Sequence, residues 1–330
     1  MKMSEERPRQ RQNLDRLLKF CVENTLAEDP GDRSSSSIEP ERQAWLQEAL
    51  KNFTGEDEVS LIKKCLMLLS TPFGELSADP EEDFMTRENA LEQIESVVDN
   101  IDNAKDCFKL GGLDVFLKYI DDNMHCTLQW QALSVLGSCL QNNAYCQEQA
   151  LKINILSRLL KIVDGDFGDT TVNVKAVYAL GCMIRGCEEA ERQFIEKDGF
   201  SYLLRAVERN VPKLNIKAIF LISNLTDENQ KNIETLCNMG MVEKMIAIIQ
   251  GQHEQHHEHV LHILLKFVKN HHPALSESRR QQYDLKRTLE NRKHYLQQTD
   301  PEAYEEEISY CSELLKLCFS GDNVNDETER

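Results

Sequence analysis

The sequence lacks the features that would place it in a membrane, in the secretory pathway or on nucleic acid. No run of apolar residues approaches the length of about 18 that spans a bilayer. No stripe of lysine and arginine offsets the formal charge of −18, so neither nucleic acid nor an anionic membrane is the expected partner. The first twelve residues are charged and have no apolar core, which predicts a chain without a secretory signal.

Paired cysteines are also missing. The eleven cysteines include no Cys-x-x-Cys pair, and an odd number at scattered apolar positions is typical of reduced, buried thiols. Cys182 with Cys187, or Cys311 with Cys318, would be the pairs for any redox chemistry. Together with the missing signal, this usage predicts a cytoplasmic protein.

A catalytic constellation is absent as well: there is no Gly-rich phosphate loop, nucleophile elbow or Asp-x-Asp cluster. One run, from His253 to His257, fits the His-Glu-x-x-His pattern in which two histidines hold zinc and Glu254 acts as the base. The run falls on the loop after Gly251 and no third ligand follows at the expected spacing. Adventitious metal binding or solvated histidines are the stronger interpretations. We therefore expect no catalytic residues, no metal and no cofactor.

What the sequence does contain is a repeated motif. A Gly or Asn that precedes an apolar helical pattern recurs four times, at Gly112, Asn154, Gly199 and Gly240. In phase with it, an alanine recurs within a second helical pattern, at Ala90, Ala132, Ala176 and Ala218. A period of ~40–47 residues is that of armadillo and HEAT helical repeats.

The repeat predicts an all-α fold, a right-handed armadillo-repeat solenoid with four repeats and helical caps at both ends, and no segment favours a strand. One helix pair cannot bury its apolar side alone, whereas stacked neighbours can, and the stack presents a long concave surface. The recurring Gly or Asn lies between helices, where left-handed backbone is wanted. We expect an elongated monomer that binds another protein in its groove; a scaffold without a defined partner is the alternative.

Composition predicts the domain boundaries. Residues 1–12 are expected to be disordered, and residues 13–81 to form an N-terminal helical cap with a polar linker, with helices over 13–25 and 40–53. The repeats occupy residues 82–270, after the helix-start signal Asp79-Pro80-Glu81. Residues 271–320 form a C-terminal cap, with one helix over about 276–298 and another that begins at Asp300-Pro301-Glu302. Residues 321–330 form an acidic tail.

Several segments within the repeats resemble one family. Ile101-Asp102-Asn103-Ala104 with Leu110-Gly111-Gly112 resembles the first-repeat signature of the armadillo-type nucleotide exchange factors of the 70 kDa heat-shock chaperones. The segments 137–143, 147–149, 198–201, 217–221 and 236–242 resemble later parts of it, and 257–261 also matches, which assigns the histidine run to the scaffold. The match covers about residues 13–320 and is nearest to the cytosolic heat-shock-protein-binding and Fes members. The family's glycine-rich amino-terminal tail is missing.

The resemblance implies a chaperone cofactor and not an enzyme. The concave face would embrace lobe II of the chaperone's ATPase domain and loosen ADP, so that the cofactor promotes ADP/ATP exchange. An excess of the cofactor would inhibit chaperone refolding and the ubiquitin ligase complexes that associate with the chaperone.

Five residues are the candidate contacts with that partner. Ala104 belongs to the family's Asn-Ala signature, and a small residue would let the chaperone approach closely; the alternative is a packing alanine. Lys217 and Arg185 lie on or near third helices and would pair with acidic residues, unless they are merely solvated. Asn142 and Asn224 would bind partner backbone from the ends of third helices, or cap those helices.

A generic armadillo adaptor that holds short peptides is the competing function. Such grooves repeat Trp and Asn along successive third helices, whereas Trp45 and Trp130 do not recur at the repeat period. The sequence therefore favours the exchange factor.

Overall fold

A computed structural model describes residues 58–122, 124–209, 211–254 and 256–320. The chain divides into two compact units, Met1–Cys65 and Leu66–Arg330. Of the first unit, only Glu58–Cys65 is described. The predicted disordered segment, the two predicted helices before residue 54 and the acidic tail lie outside the described residues.

The described residues form helices and no strand, as the sequence predicts. The first five are α1 Glu58–Ser70, α2 Pro80–Val98, α3 Ile101–Lys109, α4 Gly112–Ile120 and α5 Cys126–Leu140. The next six are α6 Ala144–Lys152, α7 Ile155–Asp164, α8 Thr170–Ile184, α9 Glu188–Glu196, α10 Gly199–Glu208 and α11 Pro212–Glu228. The last six are α12 Lys231–Asn238, α13 Met241–Gln250, α14 His257–Asn270, α15 His272–Ser278, α16 Leu285–Thr299 and α17 Glu305–Phe319.

The helices from α3 to α14 form four repeats of three. The first helix of each repeat has at most nine residues and the second nine or ten, whereas the third helices α5, α8, α11 and α14 have 14 to 17. Helix α2 takes the place of a third helix ahead of the first repeat, and α2, α5, α8, α11 and α14 pack in succession. The recurring alanines lie on these helices and are at most 2% exposed. Alanine fits these positions because a larger side chain would separate the neighbouring helices.

Short polar side chains start several of these helices. Asp79 accepts a hydrogen bond from the backbone nitrogen of Glu81 at 3.0 Å, and Pro80 occupies the first turn, as the sequence predicts. Asn100 and Asp169 accept in the same way at the starts of α3 and α8. These bonds satisfy backbone donors that have no partner within the helix.

The left-handed residue between the first and second helices is not always the one that the sequence predicts. Asn154 and Gly240 are left-handed as expected, with φ of 56° and 81°. In the other two repeats the left-handed residue is one position earlier, at Gly111 and Asp198. The prediction that Gly112 and Gly199 have left-handed backbone is therefore wrong.

Gly112 and Gly199 are instead required by close packing. Each is the first residue of a second helix, and a Cβ atom added at Gly112 would lie 2.6 Å from Cys107 Sγ and 2.7 Å from its carbonyl oxygen. A Cβ atom at Gly199 would collide with the ring of Phe194. The glycine thus lets the second helix begin directly against the end of the first.

A buried polar side chain lies three positions before each of the recurring alanines of α2, α5, α8 and α11. These residues are Arg87, Gln129, Asn173 and Asn215, and His257 occupies the equivalent place in α14. The first three donate to backbone carbonyls where the preceding helix ends. Gln129 Nε2 bonds to the oxygen of Ile120 at 2.8 Å, and Asn173 Nδ2 lies 2.8, 3.3 and 2.9 Å from those of Ile162, Val163 and Gly165. Helix carbonyls that would otherwise be buried without a partner are satisfied in this way.

Arg87 extends this arrangement to the loop after α1. Its guanidinium donates to the carbonyls of Thr71 and Pro72, each at 2.8 Å, and pairs with Asp83 at 2.5 Å. Tyr119 accepts a further bond from Arg87 at 2.8 Å. Hydrogen bonding to Arg87 lowers the pKa of Asp83 against the opposing effect of burial, so this carboxylate stays ionised.

Exposed ion pairs join successive second helices. Asp121 at the end of α4 pairs with Arg158 of α7, Asp164 of α7 with Arg205 of α10, and Glu208 of α10 with Lys244 of α13. Each exposed pair contributes at most about 1 kcal/mol, so these pairs fix alignment more than stability.

The C-terminal cap differs in detail from the prediction. The single helix expected over 276–298 is interrupted: α15 ends at Ser278, a turn of 3₁₀ helix covers Gln281–Tyr283, and α16 follows. The last helix begins at Glu305 and not at Asp300-Pro301-Glu302, and its buried residues include Cys311, Leu314 and Cys318. Helix α17 packs against both α14 and α16, and therefore covers the third helix of the fourth repeat.

We predict that Asn173→Leu lowers the free energy of unfolding by about 2 kcal/mol, because the carbonyls that Asn173 serves lose their partner while the branched shape of the side chain is kept. Chemical denaturation followed by circular dichroism measures the loss. Asn89→Ala, at an exposed position of α2, is the control and should change stability by less than about 0.5 kcal/mol. Equal stability of the Asn173 variant and the wild type would contradict the assigned role.

Candidate functional site

The third helices present a row of polar and aromatic side chains opposite their buried alanines. We call the surface formed by Trp130, Lys175, Tyr178, Lys217, Phe220, His259 and His262 the third-helix face. Tyr178, Phe220 and His262 come two positions after the alanine or its equivalent, and Lys175, Lys217 and His259 come one position before it. The face therefore has the periodicity of the repeats.

Contacts between neighbouring helices confirm that these positions meet. Lys175 Nζ donates to Ser134 Oγ at 2.7 Å, and Ser134 donates in turn to Glu95 of α2. The same ammonium group lies 5.8 Å from the ring centroids of both Trp130 and Tyr178. This distance allows a favourable cation–π attraction, which holds the lysine across the boundary between α5 and α8.

The same juxtaposition recurs two repeats later. The ring of Phe220 meets that of His259 edge to face, with 5.6 Å between the centroids, and His262 stacks on Tyr310 of α17 at 5.3 Å. Phe220 is 51% exposed, which is unusual for a phenylalanine on a well-packed helix. Aromatic residues are enriched at protein interfaces, so an exposed phenylalanine at this position is a candidate contact with a partner.

The middle of the face is electropositive. Cys182 lies on α8 among Tyr178, Arg185 and Lys217; burial raises the pKa of its thiol, and the two cations oppose that rise. Lys217 and Arg185 are exposed, and neither forms an ion pair with any residue that the structure describes. Two unpaired cations on a chain with a formal charge of −18 concentrate positive potential on this part of the face.

Four of the five predicted contact residues lie on this face or at its edge. Lys217 is on α11, and Arg185 immediately follows α8. Asn142 is exposed and left-handed, with φ of 53°, in the turn between α5 and α6. Asn224 is half-buried and lies four residues before α11 ends, so its expected place at the helix end is corrected.

Ala104 does not share this surface. It lies on α3, the first helix of its repeat, and is 1% exposed. Its carbonyl oxygen accepts a hydrogen bond from the thiol of Cys146 at 3.6 Å. A partner therefore cannot reach this side chain, and Ala104→Arg would disturb the core before it reported on binding.

Lys175, Tyr178 and Phe220 were not among the predicted contacts. The repeat itself marks these positions. Lys175 and Lys217 each come one residue before a buried alanine, and Tyr178 and Phe220 each come two residues after one. Alignment of the third helices on their alanines would have selected them.

The histidine run takes part in packing. His253 precedes α14, and its Nε2 lies 3.0 Å from Glu307 Oε2 of α17, while His257 is buried at the start of α14. His253 lies on the loop between repeat helices, as predicted, whereas His257 is the first residue of α14. Among the described residues, no group of three or more His, Cys, Asp and Glu side chains is placed to hold a metal ion.

Two further findings concern membrane spans and cysteines. No helix in the described part of the chain combines the length and apolar character that a bilayer crossing requires. The ten cysteines within the described ranges all carry free thiols, including both pairs singled out from the sequence.

Solved structures define the class of protein. A designed armadillo repeat protein superposes with a TM-score of 0.58 and 16% identity, covering 78% of this chain and 99% of that one. An engineered protein, target OR366, superposes with a TM-score of 0.61 and 17% identity over 79% of this chain. The fold is therefore that of an armadillo-type helical repeat protein.

Sequence comparison then gives the family. Residues 103–246 match the SIL1/FES1/HPBP1 C-terminal domain, and residues 14–107 match the family described as nucleotide exchange factor Fes1. Hsp70-binding protein 1 of Homo sapiens is 37% identical over 313 residues, which cover 93% of this chain and 86% of that protein. Hsp70 nucleotide exchange factor FES1 of Scheffersomyces stipitis is 25% identical over 72% of this chain and 78% of its own length. The chain belongs to this SIL1/FES1/HPBP1 family.

We predict that the thiols of Cys146 and Cys311, which are buried, and of Cys237, which is half-buried, are unreactive in the native protein. Burial raises the pKa of Cys146, Cys237 and Cys311 to about 12, so below that pH the fraction of reactive thiolate falls about tenfold per pH unit. At pH 8, iodoacetamide should modify these three residues at least a hundred times more slowly in the native than in the denatured protein, as read by peptide mass spectrometry. All eleven cysteines should react after denaturation without reductant. Stable disulfides in freshly purified protein would contradict this expectation.

Proposed function

We propose that the chain binds the ATPase domain of a 70 kDa heat-shock chaperone through its third-helix face and promotes ADP/ATP exchange. Membership of the family supports this proposal, as do the names of the relatives. The single observation that carries the choice of surface is the group of Lys175, Lys217 and Phe220, which combines cations with an exposed aromatic ring.

The chemistry of the face specifies the partner. An acidic surface with an apolar centre would pair with Lys217 and Arg185 and cover Phe220. Exposed aromatic residues near the centre of an interface commonly supply much of the binding energy, and the surrounding charges set the association rate and the specificity. Lobe II of the ATPase domain is the surface that we expect to provide this complement.

Exchange follows from binding by linkage. If the chaperone conformation that fits the third-helix face holds ADP weakly, complex formation lowers ADP affinity, and ADP lowers affinity for this protein by the same factor. No bond is made or broken in the process, so the protein is not an enzyme. At excess it would hold the chaperone away from its nucleotide cycle and inhibit refolding and chaperone-associated ubiquitin ligase complexes. We expect a cytoplasmic monomer.

A peptide-binding adaptor is the competing function. A short peptide would bind whether or not the chaperone's nucleotide is present, whereas linkage requires binding that weakens when nucleotide is added. The purified protein should therefore retain the chaperone from cytosol without nucleotide and release it with ATP. Retention that is unaffected by ATP would support the adaptor.

We predict that Lys217→Glu weakens chaperone binding at least fivefold at low ionic strength, because an acidic partner surface then meets a like charge. The effect should shrink as salt rises, since exposed charges are screened over ~8–10 Å. Lys118→Glu, an equal charge reversal at an exposed position of α4, is the control and should leave affinity within about twofold. Titration calorimetry at two salt concentrations measures both, and equal loss in the two variants would remove the third-helix face from the proposal.

We further predict that Phe220→Ala slows exchange without loss of fold. Truncation of an interface aromatic costs roughly 1–3 kcal/mol of binding, and this side chain is 51% exposed, so stability should change little. Stopped-flow release of labelled ADP at matched, subsaturating concentrations measures the change. Ile195→Ala, 40% exposed on α9, is the control. If the wild type binds the chaperone but does not accelerate ADP release, the exchange function itself is refuted.

A further inference from the structure

A single buried hydroxyl joins three successive helices at the third-helix face. Ser134 of α5 is 1% exposed, and its Oγ accepts a hydrogen bond from Lys175 Nζ of α8 at 2.7 Å. The same hydroxyl donates to Glu95 Oε1 of α2. Because little water reaches this hydroxyl, both hydrogen bonds are stronger than they would be on the open surface. The ammonium group of Lys175 is therefore held to α5 and, through it, to α2.

The register of the repeats shows that Ser134 and Glu95 are exceptions. Ser134 comes two positions after the recurring alanine of its helix, where α8 and α11 carry Tyr178 and Phe220. Glu95 comes five positions after the alanine of α2, where α5 carries Gly137. At the boundary of α2 and α5, a glutamate and a serine thus replace the glycine and the aromatic ring that meet between α5 and α8. This replacement supplies the two groups that hold the lysine.

Two aromatic rings depend on where Lys175 is held. Its ammonium group lies 5.8 Å from the ring centroids of Trp130 and Tyr178, within the range of a cation–π attraction. The ring of Tyr178 also lies against Gly137, where an added Cβ atom would be 2.4 Å from its Cε1 atom. Tyr178 is thus fixed by contacts on both α5 and α8. Both rings are half-buried, so part of each stays open to a partner.

We propose that Glu95 and Ser134 are positioning residues of the third-helix face. They place the ammonium group of Lys175 against Trp130 and Tyr178, and they thereby hold the two rings in the orientation in which a partner meets them. This inference rests on the proposed function, because it takes the third-helix face as the binding surface. Aromatic side chains that are ordered before binding lose less conformational entropy in the complex, so affinity depends on how the lysine is held.

A direct contact between Lys175 and the partner would have the opposite consequence. If its ammonium group paired with an acidic partner, Glu95 would compete with that partner, and removal of the carboxylate would strengthen binding. If the lysine supports the rings instead, removal of Glu95 weakens binding. The sign of the change caused by Glu95→Ala therefore distinguishes the two roles.

The first experiment uses the protein without a partner. Fluorotryptophan labelling gives one ¹⁹F signal for each of the two tryptophans, and Trp45→Phe identifies the signal of Trp130. Glu95→Ala should move that signal, and so should Lys175→Met, which keeps the aliphatic stem. The double variant should resemble Lys175→Met, because Glu95 acts through the lysine. Glu92→Ala, which removes an exposed carboxylate of the same helix, is the control and should leave the signal unchanged.

The second experiment measures binding of the same variants to the ATPase domain of a 70 kDa heat-shock chaperone by titration calorimetry. Glu95→Ala should weaken affinity about threefold or more, and the double variant should bind no more weakly than Lys175→Met. Glu92→Ala should bind as the wild type does. Equal helical content by circular dichroism establishes that each variant is folded.

Three results would overturn the positioning role. They are unchanged or tighter binding by Glu95→Ala, losses that add in the double variant, and a Trp130 signal that Glu95→Ala does not move. A wild type that does not bind the chaperone would instead refute the proposed function. The two failures are therefore distinguishable.

Discussion

The stack depends on how buried carbonyl groups at the ends of its helices are satisfied. Where a second helix ends, the next third helix covers its last carbonyl oxygens and removes water from them. A carbonyl without a partner in that setting would cost about as much as several apolar contacts contribute. Gln129 and Asn173 solve this with a primary amide. Arg87 solves it at the start of the array, where the carbonyls to be reached belong to Thr71 and Pro72.

This arrangement divides the work among the sides of each third helix. One side carries the amide that fixes the preceding helix, and another carries the alanine that lets the neighbouring third helix approach. The opposite side takes part neither in those hydrogen bonds nor in that close packing, and it carries lysines and aromatic residues. Lys175 illustrates the limit of that freedom, since it is tied to Ser134 and lies over Trp130, whereas Lys217 stays exposed and unpaired among the described residues. Binding capacity is thus concentrated where stability demands least.

Much of the fold could be predicted because alanine and glycine recur along the sequence at the repeat period. The spacing of the alanines identified the third helices, and Asp79-Pro80 identified the start of α2. The position of the left-handed residue between the first and second helices was predicted one residue too late in two repeats. A sequence pattern cannot distinguish a glycine with left-handed backbone, such as Gly111, from one required by close packing, such as Gly112. The site was predicted less well. Contacts such as Phe220 with His259 depend on the stacking geometry of neighbouring helices, which the period does not contain.

A periodic stack has a problem at its last unit, because each repeat is shaped to receive another. In this chain Arg292, which comes from outside the repeats, occupies the place of a next amide and closes the carbonyls at the end of α13. The cap therefore does more than cover apolar surface. It also leaves the fourth repeat without a surface on which a fifth repeat could pack. The cap therefore limits both the number of repeats and the capacity of the array to associate end to end with a second copy.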